Sequence, residues 1–139
     1  TLIALDKLQE FIDKYPQSER MDNANEMVEE LRIKTEKKGF EIAKQYNTIR
    51  DYKASITALN NFIADNPGTS FREASLFIQF LSAATLAINS VEYKKQNRLN
   101  DAKLKYQYFI RLYPNSKHIE AAIKLMEDID KEIRTFASN

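Results

Sequence analysis

Apolar residues recur every three or four positions along almost the whole chain, and no run alternates apolar with polar at the period of two that a strand needs. Leu5, Leu8 and Ile12 open the series on one side of a helix that has already begun at the first residues, "TLIALDKLQEF". From Glu19 to about Asn47 there is no proline, and Ala24, Val28, Leu31, Thr35, Ile42 and Tyr46 keep one side apolar. This predicts one long helix, with Gly39 either admitting a close neighbour or breaking it. From Ser70 to about Lys95 two stripes run together, Ala74-Ile78-Leu81-Thr85-Ile88 and Phe77-Phe80-Ala84-Ala87-Val91. Two stripes need two neighbours, so this second long helix is expected at the centre. The last helix, Lys117 to about Phe136, has a single stripe (Ile119, Ala122, Met126, Ile129, Ile133), with Glu120, Lys124, Glu127, Lys131 and Arg134 elsewhere, as a terminal capping helix requires.

The punctuation between these helices is written three times. "FIDKYPQS", "FIADNPGTS" and "FIRLYPNS" each end a helix at a proline (Pro16, Pro67, Pro114) and supply a hydroxyl residue to start the next. Ser70 with Glu73 reads as a capping box, and Ser18 and Ser116 as single caps. Twelve residues before each proline stands a small residue (Ala4, Ser55, Ala102), eight before it Leu8, Leu59 or Tyr106, and five before it Phe11, Phe62 or Phe109. Further upstream, Ile42-Ala43 and Tyr46 stand to Pro67 as Asn89-Ser90 and Tyr93 stand to Pro114. This spacing resembles the tetratricopeptide frame, but the prolines are 51 and 47 residues apart, against a usual repeat of about 34. The first helix of each repeat is therefore expected to be extended. The fold class predicted is all-α: six helices in a right-handed solenoid of tetratricopeptide-like hairpins. It comprises an incomplete repeat over 1–16, repeats over about 19–67 and 70–114, and a capping helix over about 117–136. The whole reads as one domain from the C-terminal part of a longer protein.

Composition narrows the chemistry. Two glycines and three prolines suit helices joined by short turns. With 21 basic against 20 acidic residues, no global field favours nucleic acid or a membrane surface. The absence of cysteine excludes disulfides, thiolate metal sites and a cysteine nucleophile. The uncharged stretch from Ala74 to Ile88 contains Gln79 and Ser82 and is too short for a membrane span. His118 is the single histidine, expected to face solvent in a first helical turn, with no second ligand to build a metal site or triad. Carboxylates such as Glu29-Glu30 and Asp128-Asp130 alternate with lysines on polar faces, and the isolated Gly39 and Gly68 form no phosphate loop. No catalytic, cofactor or metal residue is therefore expected.

Partner binding is the remaining chemistry. The basic clusters Arg32, Lys34, Lys37, Lys38 and Lys94, Lys95, Arg98 lie on long helices and lack the interleaved aromatics of a nucleic-acid track. If Ile42 and Tyr46 point into the core, then Lys37, Phe40, Lys44 and Asn47 face outwards, and Lys94 and Lys95 extend the same wall. Phe40 is then an interface anchor; the alternative is that it packs beside Gly39.

The stretch "IAKQYNTIRDYKASITALNNFIADNPGTSFREASLFIQFLSAATLAINS" resembles the central repeat of the BamD (YfiO) family, lipoproteins of the outer-membrane β-barrel assembly machinery. The family frame is met by Ile42-Ala43 with Tyr46, by Tyr52 to Ile56, by Asn66-Pro67 with Thr69, and by Glu73-Ala74-Ser75 with Ile78. Asn66 replaces the usual Tyr, and Ser55 and Ser75 replace Ala. The resemblance implies a non-catalytic scaffold at the periplasmic face of the outer membrane. Its implied partners are the periplasmic domains of the barrel-forming assembly protein and accessory lipoproteins, not nucleic acid. Membrane attachment would be only through a lipid anchor upstream. A generic tetratricopeptide adaptor, such as a periplasmic cell-division coordinator, shares the Y-P-x-S joint and is the alternative.

Overall fold

The computed structural model describes residues 2–138 and is all-helical over them: α1 (Leu2–Lys14), α2 (Met21–Thr48), α3 (Tyr52–Asp65), α4 (Arg72–Ile88), α5 (Glu92–Leu112) and α6 (Ile119–Ser138). The chain forms two compact units, Thr1–Glu41 and Ile42–Asn139, divided inside α2. In the first, α1 buries no residue fully; Leu5, Leu8 and Ile12 are half-covered, and Ala4, expected at a close crossing, is exposed. α2 runs unbroken through Gly39.

In the second unit α4 packs against α3, α5 and α6, and α5 packs on α6. α4 is central as expected, but its buried residues are not the two predicted stripes. Leu76, Phe80, Ala83, Ala84 and Ala87 form a common core with Leu99, Ala102 and Phe109 of α5 and Ala122, Met126 and Ile129 of α6, whereas Ala74, Leu81, Thr85 and Ile88 of the first stripe are only half-buried and Val91 of the second is exposed. Ser55 and Ala102, twelve residues before their prolines, are fully buried, as a close helix crossing requires. On α6 the residues expected to be polar, from Glu120 to Arg134, are all exposed.

The three prolines mark one joint repeated in atomic detail. At each, the amide two residues after the proline donates to the carbonyl of the residue before it: Ser18 to Tyr15, Thr69 to Asn66 and Ser116 to Tyr113, at 3.1, 3.1 and 3.2 Å. Proline occupies the second position of the resulting turn, where its fixed φ is already correct. Only in the middle joint does the third position take a positive φ, 80°, and there the residue is Gly68. The hydroxyls of Ser18, Thr69 and Ser116 then accept from the amides of Arg20, Phe71 and His118 at 3.2, 3.2 and 3.0 Å. The starter hydroxyl of the middle joint is therefore Thr69 and not Ser70, which is exposed; no side chain caps α4 at Phe71. Eight residues after each proline a small side chain is buried: Ala24, Ser75 and Ala122.

The boundary between α4 and α5 differs from the periodicity. α4 stops at Ile88, because Asn89 Nδ2 and Ser90 Oγ donate to the carbonyls of Thr85 and Leu86 and Val91 turns extended (φ −65°, ψ 153°). The extra length of the second repeat thus lies in α5, its second helix, whereas in the first repeat it lies in α2. The α2–α3 link is a Schellman closure, with Asp51 N donating to Tyr46 O, Arg50 N to Asn47 O and Arg50 at φ 66°. Asp51 then caps α3 by accepting from Ala54 N at 3.2 Å.

His118, expected to face solvent, lies half-buried with its ring stacked on Phe77 (4.5 Å, 6°). Burial and then Lys117 lower its pKa, with Glu73 acting in the opposite direction.

The joint comparison yields a stability prediction. Ser75 sits fully buried where the other two joints carry alanine, and its hydroxyl has no hydrogen-bond partner. Ser75→Ala should raise stability by about 1 kcal/mol, the cost of an unsatisfied buried hydroxyl, whereas Ser55→Ala, which removes a bonded hydroxyl, should lower it. Thermal denaturation of the two variants checks the sign; a fall in Tm for Ser75→Ala contradicts it.

Candidate interaction surface

α2 carries the residues on which the sequence placed partner binding, and its burial pattern reverses the expected register. Eighteen residues are five helical turns, so Ile42 lies directly along the helix from Ala24, with Tyr46 and Ile49 beside it. In the first unit that side is covered at Ala24 and partly at Val28, Leu31 and Thr35. Beyond it the same side opens: Ile42, Tyr46 and Ile49 are 55%, 37% and 60% exposed. The buried side of the later turns is about a third of a turn round the helix, at Phe40, Ala43 and Asn47.

Phe40 is therefore not an exposed anchor; it is 6% exposed, a core residue as the alternative reading held. Asn47 is likewise turned inwards, its Nδ2 donating to Ser82 Oγ at 2.8 Å, and Ser82 donates on to Ser55 Oγ at 3.0 Å. The sequence missed this because a strict apolar period follows one side of a straight helix, whereas the buried side of α2 shifts along its length. Lys37 and Lys44 are exposed as expected. Lys94 is exposed with its ammonium 5.4 Å from the Tyr93 ring centroid. Lys95 is committed to an ion pair with Glu132 of α6 at 2.7 Å, so it braces α5 on α6 and is withdrawn from the wall.

The outcome is a surface of two kinds. The stripe Ile42-Tyr46-Ile49 offers contiguous apolar area with a phenol, the combination that anchors interfaces. Lys44 lies beside it in sequence, an exposed cation of the type that steers association without adding much affinity. Among the described residues no cluster of histidine and carboxylate groups suited to a metal occurs, and no helix is long and apolar enough to cross a membrane.

The YfiO family, described as outer membrane lipoprotein, matches residues 34–135. The chain belongs to the YfiO family. The match takes in the later turns of α2, all of α3 to α5 and most of α6, so the second unit is the YfiO-type part of the molecule almost entire. No curated protein matches the chain.

The corrected register makes opposite predictions for two neighbours on α2. Phe40→Ala should cost about 3 kcal/mol, as truncation of a buried aromatic does. Ile42→Ala should change stability by less than about 0.5 kcal/mol, as an exposed substitution does. Urea denaturation measures both, and equal midpoints for the two variants would contradict the register.

Proposed function

We propose that this protein is a non-catalytic interaction scaffold of the outer-membrane β-barrel assembly machinery, the tetratricopeptide-like C-terminal part of a YfiO-type lipoprotein working at the periplasmic face of the outer membrane. The observation that carries the reading is the family match over residues 34–135. Its partners on this reading are the periplasmic domains of the barrel-forming assembly protein and accessory lipoproteins. The physical design supports such a role. The turn at each proline is closed by backbone and hydroxyl hydrogen bonds, so each joint is locally ordered before a partner arrives and costs little further ordering on binding. The exposed stripe Ile42-Tyr46-Ile49 supplies apolar area, and Lys44 and Lys94 supply cations that bring in an acidic partner.

The test is affinity capture from periplasmic extract with the chain immobilised beside a full-length YfiO-type lipoprotein. The reading predicts recovery of assembly-machinery components by both, and at least a fivefold loss on Tyr46→Glu in the chain. Recovery by the full-length protein and none by the chain would overturn it.

A further inference from the structure

Apart from the α2 stripe, the second unit has a groove that the scaffold reading does not use. α3 and α5 flank α4 without packing on each other, leaving a cleft of about 400 Å³ with α4 as its floor. Its apolar lining comes from Ile63 on α3, Leu76 on α4, and Leu104 and Tyr108 on α5. Leu104 is 62% exposed, and Leu104, Tyr108 and Leu112 repeat at four-residue spacing along the open side of α5. A leucine so exposed, beside a concavity with a buried leucine in its floor, is an apolar surface that association would remove from water.

The charge lining the cleft has one sign. Arg72 and Lys105 line it, no carboxylate does, and neither cation forms an ion pair with a carboxylate among the described residues. Arg72 is held in place, with Nη2 donating to the Tyr108 hydroxyl at 3.1 Å, and Arg111 lies over the other part of that side chain, 5.3 Å from the ring centroid. The guanidinium of Arg72 is thus oriented by a residue of the groove wall and keeps further N–H groups for a carboxylate. The floor is fixed as well: Gln79 donates to Ile56 O at 3.3 Å and to Asn60 Oδ1, tying α4 to α3.

We propose that this groove between α3 and α5 binds a peptide segment in which leucine-sized apolar side chains alternate with carboxylates, the apolar groups entering between Ile63, Leu76 and Leu104 and a carboxylate meeting Arg72 and Lys105. The inference rests on the reading of the domain as an interaction scaffold and names one surface and the chemistry it takes. Three synthetic twelve-residue peptides test it: alternating leucine and glutamate, leucine and lysine, and serine and glutamate. Each is titrated into the isotope-labelled protein while amide resonances are followed.

The leucine–glutamate peptide should shift resonances of α3, α4 and α5 around the groove and bind at least tenfold more tightly than either control. Leu104→Glu, at an exposed position, should abolish those shifts while leaving Tm within a few degrees. Lys105→Glu should reverse the preference towards the leucine–lysine peptide, and adding Arg72→Glu should strengthen the reversal. Equal binding of the leucine–glutamate and leucine–lysine peptides, or shifts confined to other surfaces, would overturn the proposal. Concentration-dependent shifts at the groove without peptide, lost in Leu104→Glu, would overturn it in favour of a second copy as occupant. Recovery of assembly-machinery components by the Leu104→Glu variant at wild-type level would refute the groove and leave the proposed function standing; peptide binding with no such recovery would do the reverse.

Discussion

α4 has almost no side left for water, and that constraint organises the second unit. Nine of its seventeen residues are buried, among them Ser75, Gln79 and Ser82. A buried polar group left unbonded costs about 1 to 3 kcal/mol, so each of these must find a partner on a neighbouring helix or weaken the fold. Ser82 bonds Ser55 of α3 and receives a bond from Asn47 of α2, and Gln79 bonds the Ile56 carbonyl and Asn60 of α3. Apolar packing alone would tolerate a slide of one helix past another; these directional bonds fix where α3 and the last turn of α2 stop along α4.

The same constraint separates the two positions where the family resemblance expects alanine and this chain carries serine, Ser55 and Ser75. Ser55 is the acceptor for Ser82, so its hydroxyl belongs to the chain of bonds that sets the register. Ser75 has no such use, and its position in the other joints is filled by Ala24 and Ala122. One replacement is therefore structural and the other a defect that the remaining core outweighs.

Much of the fold was legible because its signals are local. A proline closing a turn and a hydroxyl just after it define each joint through bonds spanning a few residues, and the single stripe of α6 follows from helical geometry. The errors arose where a distant residue decides, or where a polar side chain ends a helix against its apolar pattern. Phe40 and Ile42 are neighbours of similar hydrophobic character, and which one is buried depends on what packs against that stretch of α2, not on the spacing. α4 ends at Ile88 because the side chains of Asn89 and Ser90 take up carbonyls of its last turn, although the apolar pattern continues to Val91. The groove between α3 and α5 was invisible for the same reason, since it exists only because two helices far apart in sequence flank a third.

If α4 is the element on which its neighbours depend, its backbone should open only when the whole unit unfolds. Native-state hydrogen exchange measures this directly. The amides from Leu76 to Ala87 should exchange most slowly, at the rate set by global unfolding, with those of α3 and α6 faster. Amides of α4 exchanging faster than those of α6, or through a separate local opening, would contradict a fold organised around α4.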